Sequence, residues 1–272
     1  MECRLPNVLQ NYREVIVDGK RLETLLLSPA ADAPTIVMLH EGLGSIAMWK
    51  DFPVQLAHAT GCRVIVYSRY GHGKSQRLAE KRSVDFMHHE AQVVLPEILR
   101  QFQIERPILL GHSDGASIAI IFAGSGAASA SAAGAHPQQV RALILEAPHV
   151  FVEDFGLQSI ANIRTLFEST DLPKKLARYH DHVEEVFFGW NNIWLDPTFR
   201  QWNIDKYSSA ITCPVLIIQG ENDKYGTQAQ VQSIQRQIPA AQSRILPDCG
   251  HNPHRDHPNL TRDTMAKFIS TL

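Results

Sequence analysis

Short apolar runs rich in Val, Ile and Leu recur along this chain, separated by longer stretches of helical periodicity. Residues 35–39 and 107–110 have the continuous hydrophobicity of buried strands, and 63–67, 140–145, 214–219 and 244–246 read as further strands. Between them, residues 49–60, 84–102, 116–123, 227–237 and 258–272 read as helices, with Pro96 expected to kink the second. Strand and helix in alternation predict a mostly parallel, doubly wound sheet with helices on both sides, an α/β fold. The start is different: residues 15–17 and 22–27 flank Asp18-Gly19, a two-residue hairpin signal, so the chain is expected to open with an antiparallel pair.

The alternation pauses at residues 149–207, a stretch of helical character that holds three of the four tryptophans and six of the eleven phenylalanines. It predicts a small helical cap inserted before the last two strands, with residues 1–148 and 208–272 forming the core. Glu41, Trp190 and Trp194 are the candidates for lining a pocket beneath it, and the alternative for each tryptophan is the cap's own core. Residues 123–135 are an Ala/Gly/Ser-rich insert, read as a helix extension or loop without chemistry.

The chemistry concentrates at Gly111-His112-Ser113-Asp114-Gly115, between a predicted strand and a predicted helix. This G-x-S-x-G pattern suits a turn too sharp for side chains two residues either side of the serine. It leaves Ser113 as candidate nucleophile and the Asp114 N–H free to face an oxyanion. A serine nucleophile needs a base, and the base needs an orienting acid. Asp223 follows the strand at 214–219 and His251 follows the strand at 244–246, so parallel strands can bring both to the edge that carries Ser113. Glu221 is the nearest rival to Asp223.

With these residues the chain resembles the α/β-hydrolase fold family, in the branch with an inserted helical cap. His40-Glu41-Gly42-Leu43-Gly44-Ser45 is similar to the family's H-G-G-x-G-S oxyanion loop with Glu41 in place of a glycine, and the resemblance assigns a second oxyanion donor to the Gly42 N–H. Residues 68–75 resemble its D-x-x-G-x-G-x-S turn with Ser68 in place of Asp. The family's acid lies three residues beyond the strand-end glycine, which favours Asp223 over Glu221. The resemblance implies a serine hydrolase of carboxylic esters, lactones or thioesters, working without a cofactor on a small-molecule ester or acyl substrate. Carbon–carbon bond hydrolases and amidases share the framework, and a ligand receptor that keeps the pocket without turnover is the reading of a different class.

Composition narrows the partners. Twenty-six basic and 28 acidic residues give a net charge of −2 with no basic run, which argues against nucleic acid. The first residues lack the apolar segment of a secretory signal, and the stretch 116–135 is too weakly hydrophobic to favour a bilayer. Cys3, Cys62, Cys213 and Cys249 have no C-x-x-C spacing and fit free thiols, so a cytoplasmic protein is expected.

Three further patterns invite other readings. Residues 42–47 satisfy G-x-G-x-x-A and would suit an NADP-dependent oxidoreductase, but the following strand ends in Ser68-Arg69 with no acid for a ribose. Gly73-Lys74-Ser75 lacks the earlier glycine of a phosphate loop. His251, His254 and His257 with Asp256 are read as solvated side chains rather than a metal site. Glu41, Asp114 and Glu146, added to Asp223, predict a field that raises the pKa of His251 and favours neutral or cationic substrates over anionic ones. The competing expectation for Asp114 is that its side chain caps its own helix.

Overall fold

Asp18 and Gly19 both take positive φ, 50° and 70°, which matches the turn to the right-handed twist of the strands it joins. In the computed structural model, which describes residues 8–28, 33–125 and 139–272, that turn connects β1 (Leu9–Val17) to β2 (Lys20–Ser28). Both strands exceed the apolar segments seen in the sequence, because the outer part of β1 is an exposed edge without periodic burial. The remaining strands are β3 (Thr35–Leu39), β4 (Arg63–Tyr67), β5 (Ile108–His112), β6 (Ala142–Glu146), β7 (Val215–Gly220) and β8 (Gln242–Leu246). They form one sheet in the order β1-β2-β4-β3-β5-β6-β7-β8, antiparallel through β2–β4 and parallel beyond.

Alternate residues of the central strands serve opposite faces. Val37, Ile65, Leu109, Leu143 and Ile217 pack with the Asp114–Gly124 and Gln228–Gln237 helices, whereas Ile36, Val64, Leu110, Ile144 and Leu216 pack with Phe52–Thr60 and Pro258–Ile269. Two buried faces explain the uninterrupted apolar runs. The helix expected to kink at Pro96 instead runs from Phe86–His89 through a π-turn, Glu90–Val94, into Leu95–Gln101. A proline has no N–H to give the preceding turn and crowds its carbonyl, and the wider π geometry relieves both.

Between β6 and β7 the chain forms the helices Asp154–Ser169, Leu172–Leu176, Val183–Trp194 and Asp205–Ser208. Residues 126–138, most of the Ala/Gly/Ser-rich insert, and Cys3 lie outside the described residues. Cys62, Cys213 and Cys249 carry free thiols. Among the described residues no helix is long and apolar enough to cross a membrane.

Candidate active site

The strand order reverses between β3 and β5: β3 leads on to β4 on one side, while β5 leads on to β6 on the other. Crevices outside the carboxyl ends of parallel strands at such a reversal are where ligands bind in open α/β sheets. The His40–Ser45 loop leaves the end of β3 and Ser113 leaves the end of β5, with Leu39 paired to Gly111. A side chain at Gly111 would meet Ala116 Cα at 2.5 Å, and one at Gly115 would run into the backbone of Leu39. These contacts are the physical content of the G-x-S-x-G spacing. Ser113 itself is held at φ 54°, ψ −118°, a conformation L-residues rarely enter, and the helix Asp114–Gly124 starts immediately after it.

Asp223 and His251 come to the same edge from β7 and β8, whose ends Gly220 and Leu246 are paired. His251 Nδ1 lies 2.9 Å from each carboxylate oxygen of Asp223. Asp223 is fixed in turn by Gln219 Nε2 at 2.9 Å and the Tyr225 N–H at 2.8 Å. Burial opposes a charge on His251, but the Asp223 carboxylate, with Glu41 and Glu146 behind it, lifts the ring above the ordinary histidine range. Asp223 is also desolvated, yet His251 and the donors around it hold its carboxyl below the usual range. Glu221, the rival acid, is exposed and takes no part.

The His40–Ser45 loop is held from the far side of β4. Arg69, 1% exposed, donates from its guanidinium to the carbonyls of His40 and, at 3.0 Å, Glu41. The Gly42 carbonyl lies 3.0 Å from His72 Nε2 and the Leu43 carbonyl 2.8 Å from His180 Nε2. Arg82 reaches His72 Nδ1 at 3.2 Å, and the Gly73 N–H donates to His180 Nδ1 at 2.9 Å. Each ring is thereby left with a proton on Nε2 to give to the loop. Four consecutive carbonyls are thus claimed by side chains, while among the described residues the N–H groups of Gly42 and Asp114 donate to no protein acceptor.

Ser113, Asp114, His251 and Gly42 line one cavity of about 130 Å³, roofed by Trp190 and Trp194. Trp190 lies directly over Gly42, where a Cβ would collide with the indole. Trp194 donates its indole N–H to Asp114 Oδ1 at 3.2 Å.

A model of the alpha/beta hydrolase family matches residues 36–264. The chain belongs to the α/β hydrolase family. It is 26% identical to a mouse (Mus musculus) protein named sn-1-specific diacylglycerol lipase ABHD11, over 90% of this chain and 84% of that one. It is 27% identical to the 2-hydroxy-6-oxononadienedioate/2-hydroxy-6-oxononatrienedioate hydrolase of Cupriavidus pinatubonensis, over 88% of each. Among solved structures, proline iminopeptidase of Mycobacterium smegmatis superposes with a TM-score of 0.73 at 20% identity, covering 96% of this chain and 98% of that one.

Within this family fold, three sequence expectations need correction. Glu146 does not face the cavity: its carboxylate accepts from the His254 N–H at 2.6 Å and lies 2.8 Å from His254 Nδ1. His254 is consequently buried rather than solvated, packed against Trp49 and His112, and His112 Nε2 reaches the His251 carbonyl at 2.7 Å. Asp114 does not cap its helix; Arg69 and Trp194 flank its carboxylate, and Oδ2 has no hydrogen-bond partner. Among the described residues no cluster of His, Cys, Asp and Glu is arranged to hold a metal.

Sequence reasoning missed His149, Glu153, Tyr225 and Arg255, all of which line the cavity. Three of these follow β6 or β7 closely, and that position past a parallel strand end was the available signal. The hold of Arg69 on the carbonyls of the His40–Ser45 loop left no signal in the sequence.

Proposed function

We propose that this protein is a serine hydrolase that cleaves carboxylic esters of small molecules through an acyl-enzyme on Ser113. The observation that carries the reading is the meeting of Ser113 with His251 in one small cavity, His251 being anchored through Nδ1 on Asp223. That anchor leaves Nε2 as the basic nitrogen. Nε2 takes the Ser113 proton as Oγ bonds to the substrate carbonyl carbon, and the oxyanion forms against the Gly42 and Asp114 N–H groups. Nε2 then returns the proton to the departing alcohol. Water deacylates by the same route, releasing the acid and restoring Ser113. All the required groups are in the chain, so the reading calls for no cofactor.

A volume of about 130 Å³ is close to that of engineered cavities that hold a benzene-sized guest, which favours a short or compact acyl group. In this reading residues 149–207 act as the cap that excludes water and sets substrate size. The relatives, one named as a lipase and the other as a hydrolase of a dienedioate or trienedioate, are compatible with serine attack on a carbonyl.

The test is a panel of short-chain p-nitrophenyl esters, lactones, thioesters and amides, with Ser113→Ala as the blank. A fluorophosphonate should label Ser113 and abolish turnover. Ester hydrolysis by Ser113→Ala at the wild-type rate would overturn the assignment.

A further inference from the structure

The cavity's lining is unusual in charge as well as in shape. Glu41, Asp114 and Glu153 bring three carboxylates to it, and Trp190, Trp194 and Tyr225 bring aromatic rings. Three guanidinium groups are near: Arg69 is buried behind the lining, with Nη2 3.8 Å from Asp114 Oδ2, the half-buried Arg82 also acts on Asp114 from beside His72, and Arg255 sits at an exposed position on the rim. With Asp223 behind His251, carboxylates outnumber these guanidinium groups by four to three, and Arg69 and Arg82 stand behind the lining rather than in the cavity.

Asp114 is the informative member. It is 1% exposed, adjoins Ser113, and has Oδ1 held by Trp194, while Oδ2 makes no hydrogen bond and faces the Arg69 guanidinium at 3.8 Å. A buried carboxylate whose counter-charge stands off without a hydrogen bond is only partly compensated, and a further positive charge beside it is favourable. Burial, with the Glu41 carboxylate adding to it against the pull of Arg69, pushes Asp114 up to about 6. Aromatic faces beside carboxylates are the combination that receives substituted ammonium groups, because ring quadrupole and carboxylate attract the same charge.

We propose that this cavity selects substrates carrying an ammonium group, protonated or quaternary, within a few atoms of the scissile carbonyl. The inference rests on the ester-hydrolase reading for the reaction, but not for the binding preference. Glu41 and Asp114 provide the attraction, and the tryptophans fit the cation's apolar surface. The same carboxylates repel a substrate with a free carboxylate.

Two matched sets test it by pH-stat. One compares the methyl esters of β-alanine and butanoic acid with the half-ester of malonic acid. The other compares the acetates of choline and 3,3-dimethylbutanol. The cationic member of at least one set should have a kcat/KM ~10-fold or more above its neutral match, with the carboxylate slowest. Glu41→Gln and Asp114→Asn should each compress the ratio, as should high salt. Equal rates within both sets, or a preference for the carboxylate, would overturn the proposal while leaving ester hydrolysis standing. Tryptophan emission titrated with choline, against 3,3-dimethylbutanol and propanoate, reads the preference without turnover. Tighter binding of choline, lost in Asp114→Asn, supports the proposal even when no ester is cleaved; no preference among the three overturns it.

Discussion

The floor and the roof of the cavity are built on different principles. The floor consists of turns at the ends of β3, β5, β7 and β8, where backbone atoms are crowded and carbonyls and side chains are held by hydrogen bonds from distant segments. The roof consists of the helices Asp154–Ser169 and Val183–Trp194, which meet through aromatic contacts, such as the stacked pair Phe167–Phe187, with Asn191 donating to the Ile160 carbonyl at 2.8 Å. Polar links join the two at discrete points, among them Trp194 to Asp114 and Ser159 to the Lys224 carbonyl. Directional bonds fix atoms to within fractions of an ångström, whereas apolar packing tolerates exchange of shape at constant volume. In the proposed reaction, a floor so constrained would hold the reacting atoms and a roof so adaptable would set the choice of substrate.

The largest effects should come from breaking the floor at its centre. Ser113→Ala, His251→Ala and Asp223→Asn are each expected to lower kcat by ~10³-fold or more, and a double variant should cost little beyond the worse single one. Steady-state kinetics on the best ester, with circular dichroism to verify folding, check this. Additive losses would show that the residues do not act as a unit.

Next comes the clamp beneath the floor. Arg69→Met removes the donors to the carbonyls of His40 and Glu41, and kcat should fall on the order of 10²-fold with KM little changed. Affinity for a boronic acid that mimics the tetrahedral intermediate should fall in parallel. A variant that loses only thermal stability would reduce Arg69 to a structural part.

The roof should respond differently. Trp190→Ala opens space above Gly42, so the preferred acyl length should move upward, with changes of roughly 10-fold in relative kcat/KM and a smaller change in kcat for the smallest ester. An unchanged ranking with a lowered Tm would return Trp190 to the hydrophobic core of the helices.

The smallest effects are those of pH. Because His251 is raised, the acid limb of kcat/KM should lie above 6.5, the ordinary histidine value. Buried histidines around the floor behave in the opposite sense. Desolvation lowers His112 to about 3 and His149 to about 4, so both fold as neutral rings. The unfolded chain binds protons at these groups first, and their contribution to stability, complete above pH 6.5, should fade as pH drops towards 4 and 3. Urea unfolding at pH 7.5, 5.5 and 4.5 reads the slope; a midpoint independent of pH would contradict the assigned burial.

What could be read in the sequence followed from backbone requirements. Gly111 and Gly115 are legible because no other residue fits beside Leu39 and Ala116, Asp223 because it closely follows a continuous apolar run, and His251 because it follows the next strand in the alternation. What could not be read depends on which way a side chain turns and what reaches it. Glu146 and Asp114 both stand at strand or helix ends near the floor. One turns to His254, over a hundred positions away, and the other to Trp194 and Arg69. The π-turn before Pro96 is likewise a three-dimensional compromise that one-dimensional periodicity does not carry.

The φ of 54° at Ser113 has a consequence for how such a protein drifts under selection. Holding a serine there costs about 1–3 kcal/mol that glycine would not incur, against about 0.4–1 kcal/mol lost through glycine's greater freedom in the unfolded chain. Ser113→Gly should therefore melt at a higher temperature than the active protein. A lineage or a library screened only for persistence would be drawn towards glycine at 113, and keeping the serine requires continued demand for whatever the protein turns over.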